Sequence, residues 1–223
     1  MTRRLSAGLV ARRLRAALLL AALLGLAACS DNRPQFLNLA PDQTFAQTKA
    51  ALETRGFIFQ GREPEPFVLT VQDVDEYYTF HTKTKDLSRM AAALHAAADG
   101  HEDFAEREAD FLNAYTFYNP ALNQEVGVGF DAFTGKALYA YTYLDDLGPV
   151  VAENDAALPG VQQTYDSSAL PGVQYHYFES GGAALILEQD TGGTSGGGLL
   201  LFPEAVLGFY KTLGAELAKE QGR

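Results

Sequence analysis

Chemically capable side chains are sparse in this chain, and each grouping is weighed by the reaction its spacing would allow. The segment Thr191-Gly192-Gly193-Thr194-Ser195-Gly196-Gly197-Gly198 contains Gly193-x-Ser195-x-Gly197, the formal spacing of a nucleophile elbow. That device needs a strand directly before the serine, a helix directly after it and a histidine further on. Here strand-like residues follow at Leu199, and the last histidine is His176. No Lys-Ser/Thr pair closes the segment into a phosphate loop, so a flexible hairpin loop is expected over 192–198. His95, Asp99, His101, Glu102 and Asp103 crowd one stretch, but a helical metal pair needs ligands at i, i+3 or i+4. The two histidines stand six apart with Gly100 between them. A solvated helix junction is expected, with no metal and no other cofactor. Asp73-x-Asp75-Glu76 lacks the glycine and the distant glutamate of a calcium loop and reads as a turn.

Two groupings carry more information. On a helical wheel for 101–115, Glu108 sits between Phe104 and Phe111 on one side and Ala105 and Leu112 on the other. Glu102, Asp103, Glu106 and Asp110 form the opposite, solvated face, so Glu108 points at the core. Burial there raises its pKa or demands a partner, and a structural pairing is favoured over an acid-base or ligand role. Tyrosines alternate in two stretches, Tyr139, Tyr141 and Tyr143 in one, Tyr175 and Tyr177 in the other. A strand presents i, i+2 and i+4 on one face, so the five rings belong to common surfaces. Flat rings with hydroxyl tips suit a peptide or sugar, and they equally suit a sheet face packed under a helix. The five rings make a ligand surface only where they lie side by side in solvent.

The elements that must hold these residues follow from periodicity. A helix is expected from Asp42, as its cap, to Gly56, because Phe45, Thr48, Leu52 and Arg55 keep 3.6 spacing. Phe67 to Gln72 and Tyr77 to Lys83 alternate like strands. A helical region broken at Asp99-Gly100 runs from Asp86 to about Tyr115. Val126, Val128 and Phe130 alternate with Gly127, Gly129 and Asp131, and Phe133-Thr134-Gly135-Lys136 turns the chain into Ala137 to Leu144. A short helix to about Asn154 follows. Strands come next at Val173 to Phe178, Ala183 to Gln189 and Leu199 to Phe202, then a helix from Pro203 with Val206, Tyr210, Leu213 and Leu217 in line. Ala157 to Gln162 and Ala169 to Gln174 both read ALPGVQ, a pair expected to share turn chemistry. Short connections between strands are hairpins, so the fold expected is α+β. It has a mainly antiparallel sheet, helices packed on one side and the C-terminal helix closing the domain.

The first 28 residues stand apart from that fold. Arg3, Arg4, Arg12, Arg13 and Arg15 precede an unbroken apolar run of 13 residues from Ala16 to Ala28, short of the roughly 20 that span a bilayer. This is the layout of an export signal. At its end, Leu26-Ala27-Ala28-Cys29 resembles the lipobox of bacterial lipoproteins. The resemblance covers about 30 residues at the start of the chain and implies cleavage before Cys29, diacylglycerol on its thiol and acylation of the freed amine. Two or three acyl chains anchor stably where one does not. Ser30, rather than Asp, after the cysteine implies the outer membrane in a host that has one. Cys29 is also the only cysteine, which rules out an intramolecular disulfide.

The whole chain of 223 residues carries 17 Lys+Arg, 28 Asp+Glu and a net charge of −11. Without residues 1–28 it keeps 12 basic against 28 acidic residues, a charge of −16. No nucleic acid is expected as a partner, since phosphates need a basic surface. Attachment to an anionic membrane must come from lipid on Cys29. Residues 29–41 are expected to be a tether whose Phe36, Leu37 and Leu39 partly dock on the body. Residues 42–223 form a single domain that admits two related halves sharing a sheet, since a helix precedes strands near both Asp42 and Gly148. The functional expectation is an envelope binding or assembly module for a protein or glycan. The alternatives are a hydrolase using a buried carboxylate and a spacer without ligand.

Overall fold

The computed structural model describes residues 32–63, 85–167, 171–190 and 192–220. Cys29 and the export signal, the strand-like stretches Phe67 to Gln72 and Tyr77 to Lys83, and the Asp73 turn lie outside the described residues. The elements run α1 (Phe45–Glu53), β1 (Ile58–Arg62), α2 (Lys85–Ala98), α3 (Phe104–Asp110), β2 (Leu112–Asn119), β3 (Gln124–Asp131) and β4 (Ala137–Leu144). They continue with α4 (Gly148–Ala157), β5 (Gln163–Asp166), β6 (Val173–Ser180), β7 (Ala183–Asp190), β8 (Gly196–Leu201) and α5 (Pro203–Glu220). The eight strands among the described residues join one sheet in the order β1-β2-β3-β4-β8-β7-β6-β5, each neighbouring pair antiparallel. The fold is α+β, with α5 packed on the sheet.

The strand order is symmetrical about the β4–β8 seam. On one side β1 to β4 stand in sequence order, on the other β5 to β8 do, and a helix precedes each set, α1 and α4. Alternation of side chains then sorts the sheet into two faces. On the first face Tyr139, Tyr177, Ile186, Leu199 and Leu201 pack with Met90 and Leu94 of α2 and with Val206, Tyr210 and Leu213 of α5. The approach of those two helices is close, since a methyl on Gly214 would sit 3.3 Å from the Cα of Ala97. The opposite face is covered as well, a layer beyond the expected helices on one side. Phe117, Val126, Val128, Leu185 and Leu200 pack there with Leu52 of α1, Leu147 and Leu158 flanking α4, and Phe36, Leu37 and Leu39.

Several boundaries move for identifiable reasons. Thr44, not Asp42, caps α1, its backbone N–H donating to Gln47 Oε1 at 2.9 Å, while Asp42 adopts a left-handed φ of 63°. The helical reading to Tyr115 ends at Asp110; 112–119 is a strand with buried and half-buried residues on both faces, so no solvated face marks its period. The 192–198 loop is a turn only to Ser195, for Gly196, Gly197 and Gly198 are paired in the middle of the sheet to Leu144, Tyr143 and Thr142 of β4. Both ALPGVQ copies place their glycine in left-handed backbone, φ 77° at Gly160 and 88° at Gly172, each leading into a strand. The hairpin between β3 and β4 is fixed by buried Asp131, whose carboxylate accepts from the Phe133 N–H at 2.7 Å and the Thr134 hydroxyl at 2.6 Å.

The body also begins earlier than Asp42. Its compact unit starts at Arg33, and Phe36, Leu37 and Leu39 are buried. Gln35 is stitched to α4 by a pair of bonds: its N–H donates to Asn154 Oδ1 at 2.7 Å, and Asn154 Nδ2 donates to its carbonyl at 3.1 Å.

Candidate functional site

The five tyrosines share the first face of the sheet but not its exposure. Tyr139, Tyr175 and Tyr177 are buried, Tyr141 is half-buried and Tyr143 is 62% exposed. A side-by-side surface of five rings is therefore not formed; three rings are core, and two of the β4 rings border solvent. The reason is the position of the helices. β8 leaves the sheet at Leu201 and enters α5 at Pro203, so α5 folds back over the end where Tyr139 pairs with Leu201. The other end has tight turns at 120–123 and 192–195, and α4, which follows β4 there, packs on the opposite face, so no described helix covers this face at that end.

At that open end lies a cleft of about 690 Å³, lined by Leu122, Glu125, Tyr141, Tyr143, Asp145, Asp146, Ile186, Glu188, Gly197 and Leu199 among others. Its geometry follows from register. Tyr141 pairs with Leu199 and Leu199 with Ile186, which makes an apolar floor. One pleat further out, Tyr143 pairs with Gly197 and Gly197 with Glu188, and Glu125 is the next same-face residue on β3. Glu125 and Glu188 thus stand three strands apart, about 14 Å along the sheet at ordinary strand spacing. Between them the floor is backbone at Gly197, where an added methyl would meet nothing within 4 Å.

The neighbouring glycines have other work. A methyl on Gly127 would lie 2.3 Å from the Tyr141 ring, and one on Gly129 would lie 2.2 Å from the Tyr139 ring, so these two let the tyrosines of β4 lie flat across β3. At Gly196 a methyl would stand 1.8 Å from the Glu188 carbonyl oxygen. The turn beside the cleft is tied down, since Thr194 O accepts from the Leu147 N–H at 2.8 Å and the Thr194 hydroxyl donates to the Asp145 carbonyl at 3.3 Å.

Among the described residues the charged side chains lining the cleft are all carboxylates. No lysine, arginine or histidine lines it among the described residues. The Tyr141 hydroxyl is held above the ordinary tyrosine range by burial first and then by the charges of Glu63 and Glu125. Tyr139, deeper on the same strand, is raised further, mainly by burial and next by Glu108.

Glu108 lies elsewhere. It is 2% exposed, and its Oε1 accepts from the Tyr210 hydroxyl of α5 at 3.0 Å. This is a bond between α3 and α5 inside the helical layer, and Glu108 is not among the residues lining the cleft. Ser195 sits at the end of the β7–β8 turn with a strand after it, the reverse of what a nucleophile elbow requires. Among the described residues no three His, Cys, Asp or Glu side chains gather as a metal-binding group.

Sequence reasoning missed Glu125, Glu188 and Gly197. Their same-face partners were legible along each strand, as Glu125-x-Gly127, Ile186-x-Glu188 and Gly197-x-Leu199. What joins them is the β3-β4-β8-β7 pairing, which no spacing along the chain reveals. No family model, no curated protein and no solved structure matches this chain.

Proposed function

We propose that the chain is a lipid-anchored lipoprotein of the cell envelope, facing the periplasm or exterior and held at the outer membrane where the host has one. Its body is a binding or assembly module for an envelope protein or glycan, and the open cleft on the first sheet face is its contact surface. One observation carries this reading: among the described residues half of an apolar sheet face is sealed by α2 and α5 while the other half, with Tyr141, Ile186 and Leu199 as floor, is left as a cleft. Open apolar surface of this kind marks interaction sites.

The anchor supports the same reading. With Gln35 bonded to Asn154, six peptide steps separate lipidated Cys29 from the body, a reach of about 21 Å when fully extended. The crevice beside that segment is lined by Gln124 and Leu144, which also line the cleft. A tether of that length keeps the body close to the membrane that holds the lipid, whatever way the body faces.

The test uses a photo-crosslinking amino acid at Tyr143 in intact cells. A defined adduct from that position, absent when the same group is placed at Glu53 on α1, is the expected result. Absence of any adduct at Tyr143 overturns the contact surface. Cys29→Ser addresses the anchor separately: mass and membrane retention should both change, and an unchanged protein overturns lipidation.

A further inference from the structure

On the face of the sheet opposite the cleft, a chain of side-chain contacts runs from α4 to the β7–β8 turn through His176. The ring stands half-buried on β6, with Thr164 opposite it on β5 and Leu187 opposite it on β7. Its Nδ1 lies 2.9 Å from the Gln162 amide, and its Nε2 lies 3.0 Å from Gln189 Oε1. The far side of each amide has its own partner, which decides how the amide points. Gln189 Nε2 donates to the Gly193 carbonyl at 2.8 Å, so its oxygen faces the ring. Gln162 is satisfied with its nitrogen donating to the Asp155 carboxylate at 2.6 and 2.8 Å, which turns its oxygen to Nδ1. Both ring nitrogens thus face acceptors. Only an imidazolium, with N–H on both nitrogens, completes every bond of the chain.

We infer that His176 is a pH-sensitive clasp: protonated, it ties the β7–β8 turn to the C-terminal end of α4, and neutral, it lets go of the turn. Imidazole is the side-chain group that takes up a proton near neutral pH. A neutral ring keeps one N–H, and each choice breaks a different bond. With the proton on Nε2, the Gln162 amide must reverse and set its oxygen against the Asp155 carboxylate. With the proton on Nδ1, the Gln189 amide must reverse and leave the Gly193 carbonyl. The first choice loses a charge-assisted bond and gains a repulsion, whereas the second loses a weaker bond between neutral groups. The neutral ring therefore keeps Nδ1–H, and the break falls at the turn. Asp155 on α4 and Asp166 on β5 are the charged groups of the packed elements that bond into this cluster, Asp166 accepting from Gln174 Nε2 at 3.2 Å. β7 presents Leu187 and Gln189 to this face, its Glu188 and Asp190 alternating to the other, and Glu153 of α4 lines the crevice beside Gln35. The turn keeps its bonds from Thr194 to Leu147 and Asp145 in both states, so the clasp adds a further tie at Gly193. β8, which follows this turn, supplies Gly197 and Leu199 to the cleft, but the clasp holds whether or not the cleft receives a partner.

NMR of the full-length protein in detergent reads both ends of the clasp, through the ring nitrogens of His176 and the carbonyl carbon of Gly193. At about pH 5 the ring should carry N–H on both nitrogens, and at about pH 8 on Nδ1 alone. The Gly193 carbonyl signal should shift along the same titration curve as the ring. Gln189→Leu should abolish the shift at Gly193 while the ring still titrates. Gln189→Glu keeps an acceptor for Nε2 but removes the donor to Gly193, and it should give the same loss without placing an apolar side chain there. Asp155→Asn removes the charge that decides between the two breaks, so its neutral ring should be a mixture of Nδ1–H and Nε2–H forms. A neutral ring protonated on Nε2 in the unmutated protein overturns release at the turn. A Gly193 signal that ignores the titration of the ring overturns the clasp, and one that follows the ring equally in both Gln189 variants does the same.

Discussion

The covered and open ends of one sheet face are built from the same strands and differ in what the connections do. At the covered end β8 continues into α5 at Pro203, and the helix returns over Tyr139, Ala184 and Leu201. At the open end turns join β2 to β3 and β7 to β8 while β4 leads into α4 on the opposite face, and the face there shifts from buried aliphatics to Glu125, Tyr143, Gly197 and Glu188. A single strand, β4, passes from one regime to the other, from Tyr139 at 2% exposure to Tyr143 at 62%. The same residue type is thus core at one position and surface four residues later. Identity alone does not assign a tyrosine its role; the connection that follows the neighbouring strand does.

Paired substitutions break or sharpen this contrast. The largest effect is expected from Tyr139→Ala, which removes a fully buried ring and should cost about 3–5 kcal/mol in chemical denaturation. Tyr143→Ala should cost less than about 0.5 kcal/mol in the same experiment while weakening ligand binding. Equal costs would mean that the two ends are not different in kind.

The glycines of β8 give the second pair. Gly196→Ala forces a methyl to within 1.8 Å of the Glu188 carbonyl oxygen, a backbone atom that cannot swing away, and should cost about 3 kcal/mol. Gly197→Ala meets nothing within 4 Å and should be neutral or slightly stabilising in thermal unfolding, because alanine gives up less backbone entropy. A comparable loss at both positions would show that Gly197 also serves packing.

Next comes the helical cover itself. Tyr210→Phe removes the hydroxyl that donates to buried Glu108 and should cost about 1–3 kcal/mol by urea unfolding. It should leave cleft binding unaltered, whereas a parallel loss of binding would couple the two ends. The smallest effect is expected with alkali. Folding holds Tyr139 and Tyr141 above their unfolded pKa, so above about pH 10 the unfolded chain binds fewer protons than the folded one. Stability then falls as pH rises, by roughly 1 kcal/mol between pH 10 and 11 for a buried tyrosine. Tyr139→Phe should flatten that fall, and an unchanged slope would mean that this ring ionises without hindrance.

Local patterning made the β3–β4 hairpin, the strands of the second half and α5 legible, because runs rich in aromatic and branched residues bounded by glycine turns, and the helical spacing of apolar residues in α5, show in the sequence even where both strand faces are buried. It failed at β2, because Phe104, Glu108, Phe111 and Leu112 carry a helical spacing up to the start of the strand, and Leu112 to Asn119 has no fully solvated face to break it. It failed again at Gly196 to Gly198, where glycines signal a loop unless a partner strand is known to approach as closely as the Glu188 carbonyl does. Burial of Glu108 was readable from the wheel, since its helical neighbours Phe104 and Phe111 are three or four residues away. The cleft was not readable, because Glu125 and Glu188 meet only through a pairing order that places β8 between β4 and β7.

The sequence by itself determined the acidic charge, the lipobox-like segment at Cys29, the α+β class and the alternation that puts the tyrosines on common strand faces. These are properties of composition and of nearest neighbours along a chain with fixed local geometry. Only the tertiary structure decided which tyrosines are core, which glycine leaves room, and that carboxylates from β3 and β7 flank one apolar floor. Those outcomes depend on pairing between residues as distant as Tyr143 and Gly197 and on the path of α5, and such long-range contacts are selected by burial of the whole sheet face.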